Sequence, residues 1–337
     1  MRTAILGAGS LGTVLGAFIA KAGRQVDLVS RNAAHLNAMK ERGAVIKGTV
    51  DLVVPVNTVL TSEMEGKYDL VFYMAKQTAN EVALKQLLPH LSDDGIVVTM
   101  QNGLPEPEVE EYIGKGRVAG CPVGWAAVMT EPGVSTLTSN LDQMSFDIGW
   151  PDGHVDKKLE EIKEILECLC TTNIITDLME VRWAKLLTNA TFSGMSAALG
   201  ATFGETVSTE ENLYVTQHVA NECIKVCHAS GFQIGKIQGS SMEAMYGFKD
   251  EADRERVRPM YEAMKPVPIV ASMLTDLRNG KKTEINAING VVCKYGRQNN
   301  VATPFNDKVV EIVTGCEEGK YKPCAENIKL FGDLIKL

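Results

Sequence analysis

Short apolar runs alternate with amphipathic stretches through the first half of the chain. Thr3-Ala4-Ile5-Leu6, Gln25-Val26-Asp27-Leu28-Val29-Ser30, Tyr68-Asp69-Leu70-Val71-Phe72-Tyr73-Met74 and Gly95-Ile96-Val97-Val98-Thr99-Met100 read as buried strands, and another begins at Arg117-Val118-Ala119-Gly120. Residues 11–22 and 79–91 read as helices between them. Near-continuous apolar strands alternating with helices predict a parallel sheet covered on both faces. Val134-Ser135-Thr136-Leu137 and Met144-Ser145-Phe146-Asp147-Ile148-Gly149 are predicted as shorter antiparallel strands joined by a turn.

The pattern changes after Gly153. Residues 157–170 place Leu159, Ile162, Ile165 and Leu166 on one helical stripe, and Asn173-Ile174-Ile175-Thr176-Asp177 reads as a short strand. From Met179 onward the period is helical, over 181–199, 210–230, 268–279, 285–298, 307–313 and 328–334. The polar stretch 249–258 is a solvated helix or loop. The expected fold is α/β: an N-terminal Rossmann-type parallel-sheet domain over 1–177, followed by an all-α C-terminal domain over 178–337.

The turn after the first strand carries the most information. Leu6-Gly7-Ala8-Gly9-Ser10-Leu11-Gly12 is a glycine-rich corner between strand and helix. Gly7 permits the tight turn, Gly9 lets backbone approach a pyrophosphate, and Gly12 lets helix pack on strand. The helix N-terminus near Ser10 then faces the phosphates. The plain alternative is a strand-turn-helix corner with no ligand. The second strand ends in Ser30-Arg31 where an NAD-preferring site carries a carboxylate for the ribose 2′-hydroxyl. A hydroxyl and a guanidinium suit a 2′-phosphate, which predicts NADP(H) over NAD(H). Against this stands an ordinary solvated arginine.

Composition narrows the classes. The 337 residues are 45% hydrophobic and 23% charged, as in an ordinary globular protein large enough for two cores. A net charge of −8 without a basic cluster argues against nucleic acid. No apolar run reaches the roughly 20 residues that span a bilayer. The first strand begins by residue 3, so no signal peptide is expected and the chain is expected to be cytoplasmic. The eight cysteines lack C-x-x-C pairs and read as free thiols. Cys223 and Cys227, four apart, share a helix face beside His228, but suitably spaced further ligands are lacking, so no metal is expected.

Ligands of doubly wound sheets sit beyond the carboxyl ends of the strands. Ala75-Lys76-Gln77 and Gln101-Asn102-Gly103 lie at two such ends, placed to touch the nicotinamide half of a dinucleotide. In the helical half, Lys185 and Asn189 are four apart and share a face, as do Ser272 and Asp276. A lysine and a glutamate facing one cleft make an acid pair: the carboxylate orients the ammonium, which protonates a carbonyl oxygen as hydride reaches carbon. Surface charge is the plain alternative for Lys185 and Glu284.

These residues together resemble the ketopantoate reductase (2-dehydropantoate 2-reductase) family over nearly the whole chain, in order. The matching stretches are Gly-Ala-Gly-Ser-Leu-Gly at 7–12, Arg31, Lys76, Gln101-Asn102-Gly103, Trp183-x-Lys185-Leu186-x-x-Asn189, Ser272-Met273-x-x-Asp276, Thr283-Glu284-Ile285-x-x-Ile288-Asn289-Gly290, and a stretch over 319–327. The resemblance implies reduction of a 2-oxo acid with NADPH. It implies Lys185 as general acid, Glu284 as its orienting partner and Asn102 at the junction of nicotinamide ribose and substrate. Lys76 would lie near the cofactor, Ser272 at the substrate carboxylate, and Asn189 on a substrate oxygen. A homodimer through the helical domain is likewise implied.

The departures concern the substrate. Ser193 stands where pantoate-forming enzymes carry a second asparagine one turn past Asn189, Ile269 stands for another asparagine, and Asn286 replaces an aspartate. Segment 231–268 is longer than usual. Losing an amide that binds a substrate hydroxyl costs about 1–3 kcal/mol. The expected substrate is therefore a 2-oxo acid that need not be ketopantoate, with Ser193 among the residues around it and Ile269 suiting a more apolar side chain. Two alternatives stand beside this reading: an NAD(P)-dependent 2-hydroxy acid dehydrogenase acting on a branched or aromatic acid, and a non-catalytic nucleotide-binding sensor.

Overall fold

A computed structural model describes residues 1–237 and 239–337. The chain divides into two units, Met1–Leu178 and Met179–Leu337.

In the first unit, β1 (Thr3–Leu6), α1 (Ser10–Lys21), β2 (Val26–Ser30) and α2 (Ala33–Arg42) follow the expected alternation. Next come β3 (Ala44–Gly48), β4 (Leu52–Val54), β5 (Asn57–Leu60), β6 (Tyr68–Tyr73), α3 (Asn80–Leu87), β7 (Leu91–Thr99), α4 (Glu106–Ile113) and β8 (Val118–Gly120). The main sheet has six strands in the order β5-β2-β1-β6-β7-β8, all parallel. Its central strands are buried on both faces, which is why they read as continuous apolar runs. Ile5, Leu28, Leu70, Phe72 and Val98 join α1 in one core, while Leu6, Val29, Val71, Tyr73 and Val97 join α3 in the other. β7 starts four residues earlier than expected, because Leu91 turns back to pair with Tyr68.

The remaining strands correct the sequence reading. β9 (Ala127–Glu131) and β10 (Val134–Leu137) form a hairpin, and β10 also pairs in parallel with β3, which pairs with β4. β11 (Ser145–Ile148) pairs in parallel with β12 (Thr171–Ile174), across α5 (Lys157–Leu166). The segments expected as an antiparallel pair over 134–149 thus belong to two different sheets. Each is too short for its alternation to name a partner: β10 takes its predecessor β9 and the distant β3, and β11 takes β12 beyond the intervening helix. The strand expected over 173–177 instead spans Thr171–Ile174, starting two residues and ending three residues earlier.

The second unit is helical, apart from a two-residue pairing of β13 (Lys236–Ile237) with β14 (Ser240–Ser241). It contains α6 (Leu178–Thr188), a π-helical turn Asn189–Gly194, α7 (Met195–Leu199), α8 (Glu210–Ala229), α9 (Met242–Tyr246), α10 (Glu251–Glu262), α11 (Ser272–Arg278), α12 (Asn289–Gln298) and α13 (Pro304–Glu317). The helix expected over 181–199 is therefore interrupted by a wide turn. That over 285–298 is split at Ile288, whose ψ of −89° breaks the helical path. That over 268–279 starts at Ser272, because residues 267–269 instead accept backbone bonds from Phe203 and Gly204. The 328–334 tail is a 3₁₀ segment, Ala325–Leu334. The polar stretch at 249–258 is the start of α10, capped by Asp250.

Candidate active site

The glycine corner is built by close approach. Gly7 and Ala8 donate their N–H groups to the Val29 carbonyl, at 2.9 and 3.0 Å, which brings the turn over the end of β2. Gly7 has φ +99°, and a Cβ there would lie 2.3 Å from Ala75 N. A Cβ on Gly12 would lie 2.9 Å from the Gly7 carbonyl. Gly9 differs: an added Cβ meets nothing nearer than 3.9 Å. Its hydrogen is therefore required neither for packing nor for backbone conformation, and the space it leaves fits a pyrophosphate drawn against the backbone. α1 begins here with no side-chain cap and no acidic residue in its first turn, so its first N–H groups are available to an anion. Ser10 and Leu11 open that first turn.

At the end of β2, Ser30 Oγ accepts the Asn32 N–H at 3.2 Å, and Asn32 caps α2 by accepting from His35 N–H. The side chain of Arg31, between them, is exposed. A hydroxyl and a guanidinium are thus presented beside the glycine corner, and they suit a phosphomonoester.

The two strand-end loops are tied to each other. Gln101 donates to the Ala75 carbonyl at 2.7 Å and to Asn80 Oδ1 at 2.8 Å, and Asn80 also receives the Tyr73 hydroxyl. Gln77 donates to the Asn102 carbonyl. Gln101 is 4% exposed, so this member of the polar set scaffolds the loops and its amide nitrogen is committed within them. Lys76 remains exposed and Asn102 half-exposed, in loops fixed from beneath. The scaffolding by Gln101 and Asn80 was invisible in the sequence, where both are ordinary polar residues at strand and helix ends.

In the second unit the helical path over 182–199 is buried nearly all round. Lys185, Thr188, Asn189 and Ser193 are its half-exposed residues, and three of them lie at steps of four. α11 packs on the turn Asn189–Gly194 and on α7, and the Ala271 N–H reaches Ser196 Oγ at 3.3 Å. Ser272, exposed at the start of α11, therefore lies on an element that borders the strip. Phe192, inside the turn, packs against Phe203, Tyr246 and Tyr261. The long segment 231–268, whose role the sequence left open, buttresses the wide turn through these two tyrosines.

Glu284 is 7% exposed and opens the 3₁₀ turn Ile285–Ala287, its carbonyl accepting from Ala287 and Ile288 N–H groups. Its neighbour Thr283 is clamped to Glu317 of α13, with N–H and hydroxyl both donating to Oε1, at 2.7 and 2.6 Å. The side chain of Glu284 is thereby held on rigid backbone, as an orienting carboxylate requires. Ile269, by contrast, is 52% exposed beside a backbone anchored to Phe203, and Val270 is exposed with it. Among the described residues no cluster of histidine, cysteine and carboxylate side chains has metal-site geometry. Cys223 and Cys227 are buried, and burial pushes both thiols above their usual range.

Residues 3–149 match the family model described as Ketopantoate reductase PanE/ApbA, and residues 177–317 match the model of its C-terminal part. The chain belongs to the ketopantoate reductase family. It is 29% identical to a 2-dehydropantoate 2-reductase of Pyrococcus horikoshii, over 91% of this chain and 94% of that protein. It is also 29% identical to that of Archaeoglobus fulgidus, over 94% and 98%. Among solved structures it resembles a D-mandelate dehydrogenase bound to NADH and anilino(oxo)acetate, with a TM-score of 0.80 at 22% identity over 95% and 99% of the two chains. A ketopantoate reductase from Ralstonia eutropha JMP134 superposes equally well, at 0.80 and 24% identity over 95% and 99%.

Proposed function

We propose that this chain is an NADPH-dependent reductase that converts a 2-oxo acid to a 2-hydroxy acid, and that its preferred substrate carries a less polar side chain than 2-dehydropantoate. The half-exposed strip of Lys185, Asn189 and Ser193 on an otherwise buried helical path carries this reading: a lysine and an amide kept at one surface of a packed unit suit a carbonyl oxygen and its neighbours. The first unit, residues 1–177 in outline, holds the cofactor through Gly7, Ala8, Gly9, Ser10, Leu11 and Gly12, with Ser30 and Arg31 on the 2′-phosphate and Lys76 and Asn102 toward the nicotinamide half. The helical unit from 178 holds the substrate.

NADPH, when bound, supplies the hydride that reduces the keto carbon. Lys185 holds the proton that the keto oxygen takes up, so charge does not accumulate on that oxygen. Glu284 orients the Lys185 ammonium. Asn189 and Ser193 offer hydrogen bonds to substrate oxygens, Ser272 receives the carboxylate, and Asn102 lies at the junction of ribose and substrate. A cytoplasmic homodimer assembled through the helical unit completes the reading. Among the described residues no helix is long and apolar enough to cross a membrane.

The test is NADPH oxidation with a panel containing 2-dehydropantoate, 2-oxoisovalerate and phenylglyoxylate. Turnover of at least one, lowered about 10²–10⁴-fold in kcat by Lys185→Ala with NADPH still bound, is the expected result. No turnover of any acid favours a nucleotide sensor. A second reading, an NAD-dependent dehydrogenase of an aromatic or branched 2-hydroxy acid, draws on the exposed Ile269. It predicts faster turnover with NAD and mandelate than with NADPH and any oxo acid.

A further inference from the structure

The π-helical turn Asn189–Gly194 sits within the strip just described, between α6 and α7. An α-helix turns with 3.6 residues, and a π-turn with about 4.4. In a regular α-helix each step of four advances a side chain by about 40° around the axis, so Ser193 would point about 80° away from Lys185. With α geometry up to Asn189 and π geometry beyond it, the second step runs backward by about 30°, and Lys185, Asn189 and Ser193 come nearly into line. The widened turn is thus what makes one strip of three polar residues out of this segment.

Widening a helix frees backbone carbonyls from their ladder, and buried carbonyls need donors. Thr191 Oγ1 donates to the Leu187 carbonyl at 2.6 Å. Asn289, wholly buried at the start of α12, donates through Nδ2 to the Ala190 carbonyl at 3.0 Å and to Asn306 Oδ1 at 3.0 Å. Asn306 in turn donates to the Val219 carbonyl at 3.1 Å and to Glu222 Oε2 at 2.8 Å. The Glu222 carboxyl also accepts the backbone N–H groups of Phe305 and Asn306, at 3.0 and 2.9 Å. Both hydrogens of each amide meet acceptors, so the orientation of each is determined. Asn289 Oδ1 has no hydrogen-bond partner among the described residues, and a Cβ on Gly194 would lie 2.3 Å from it. The amide therefore bonds one part of the turn and closes against its last residue.

We propose that Asn289 is a positioning residue for the reductase reaction: by bonding Ala190 and abutting Gly194 it holds the turn wide and keeps Asn189 and Ser193 in line with Lys185. The proposal rests on reading that strip as the substrate surface. Asn289→Asp tests it, because the carboxylate keeps the shape of the amide but has no hydrogens for Ala190 and Asn306. Steady-state kinetics with 2-dehydropantoate and with phenylglyoxylate at saturating NADPH, NADPH titration by fluorescence, and amide hydrogen exchange over 189–194 are measured together. The expected result is KM for the oxo acid raised tenfold or more, NADPH affinity within twofold of wild type, and exchange in the turn accelerated tenfold or more. Thr191→Val, which removes the other clasp at nearly constant volume, raises KM about threefold. A folded Asn289→Asp with wild-type KM and wild-type exchange overturns the proposal. If that variant does not fold, unchanged KM and exchange in Thr191→Val overturn it. Failure of the functional reading shows separately, as wild-type enzyme inert toward every oxo acid, and the exchange measurement then still decides whether Asn289 holds the turn.

Discussion

His35 accepts the backbone N–H of Gly133 at its Nδ1, 2.8 Å away and 98 residues along the chain. An acceptor Nδ1 puts the ring proton on Nε2, which lies 2.9 Å from Thr13 Oγ1 on α1. One neutral imidazole thus joins the helix of the glycine corner to the β9–β10 hairpin. The backbone N–H of His35 donates to Asn32 Oδ1, in the cap next to Arg31.

Burial holds His35 below its usual pKa of 6.5. The native state therefore binds fewer protons than the unfolded chain, and this contribution is present above pH 6.5 and is lost as pH falls through the folded pKa. Thermal unfolding in a pH series is expected to show Tm dropping below about pH 6.5. His218, held down to about 4 chiefly by burial, titrates in the same sense. His35→Gln should shrink the acid dependence without abolishing it, and should cost about 1–3 kcal/mol at neutral pH through the unpaired Gly133 N–H.

Gly9→Ala and Gly7→Ala separate folding from cofactor binding. A methyl at Gly9 meets open space, so Tm should stay within a degree or two while NADPH affinity, read by fluorescence titration, falls tenfold or more. A methyl at Gly7 collides with the backbone of Ala75 at positive φ, and should destabilise the fold by more than about 1 kcal/mol. Equal NADPH affinity in Gly9→Ala and wild type would remove the pyrophosphate from this corner.

Arg31 is exposed at the end of β2. If it binds a 2′-phosphate, Arg31→Ala lowers kcat/KM for NADPH by about 10–100-fold, the worth of a charge-assisted bond, and leaves NADH nearly unchanged. Parallel losses with both cofactors would mean that the guanidinium does not read the phosphate.

Ile269→Asn probes substrate choice. Its carbonyl is fixed to Phe203 N–H and its side chain is outside the core, so stability should move by less than about 0.5 kcal/mol. The ratio of kcat/KM for 2-dehydropantoate over phenylglyoxylate should rise about tenfold, as restored amide bonding favours the polar chain. An unchanged ratio places the substrate side chain elsewhere.

Much of this protein was legible along the chain. The glycine spacing at 7–12 and the apolar runs of β1, β2, β6 and β7 are local signals, because a strand covered on both faces must be apolar throughout and a tight corner must carry glycine. α8 was legible as a helical period over 210–230, close to its observed twenty residues; its Thr209 cap came from the structure. The strip residues Lys185, Asn189 and Ser193 could be singled out as residue types. Their alignment could not.

What the tertiary structure decided is where long-range partners override local pattern. Val134–Leu137 alternates like half of a hairpin with its successor, yet one edge pairs with its predecessor β9 and the other with β3, some ninety positions earlier. Residues 181–199 read as one unbroken helix, since propensity cannot show a carbonyl freed at Ala190. The donor that meets it sits on Asn289, 99 residues later. Sequence by itself determined most strands of the main sheet, the glycine corner and the chemical inventory. Folding alone could determine their register, because register depends on hydrogen bonds between groups that become neighbours only in the packed chain.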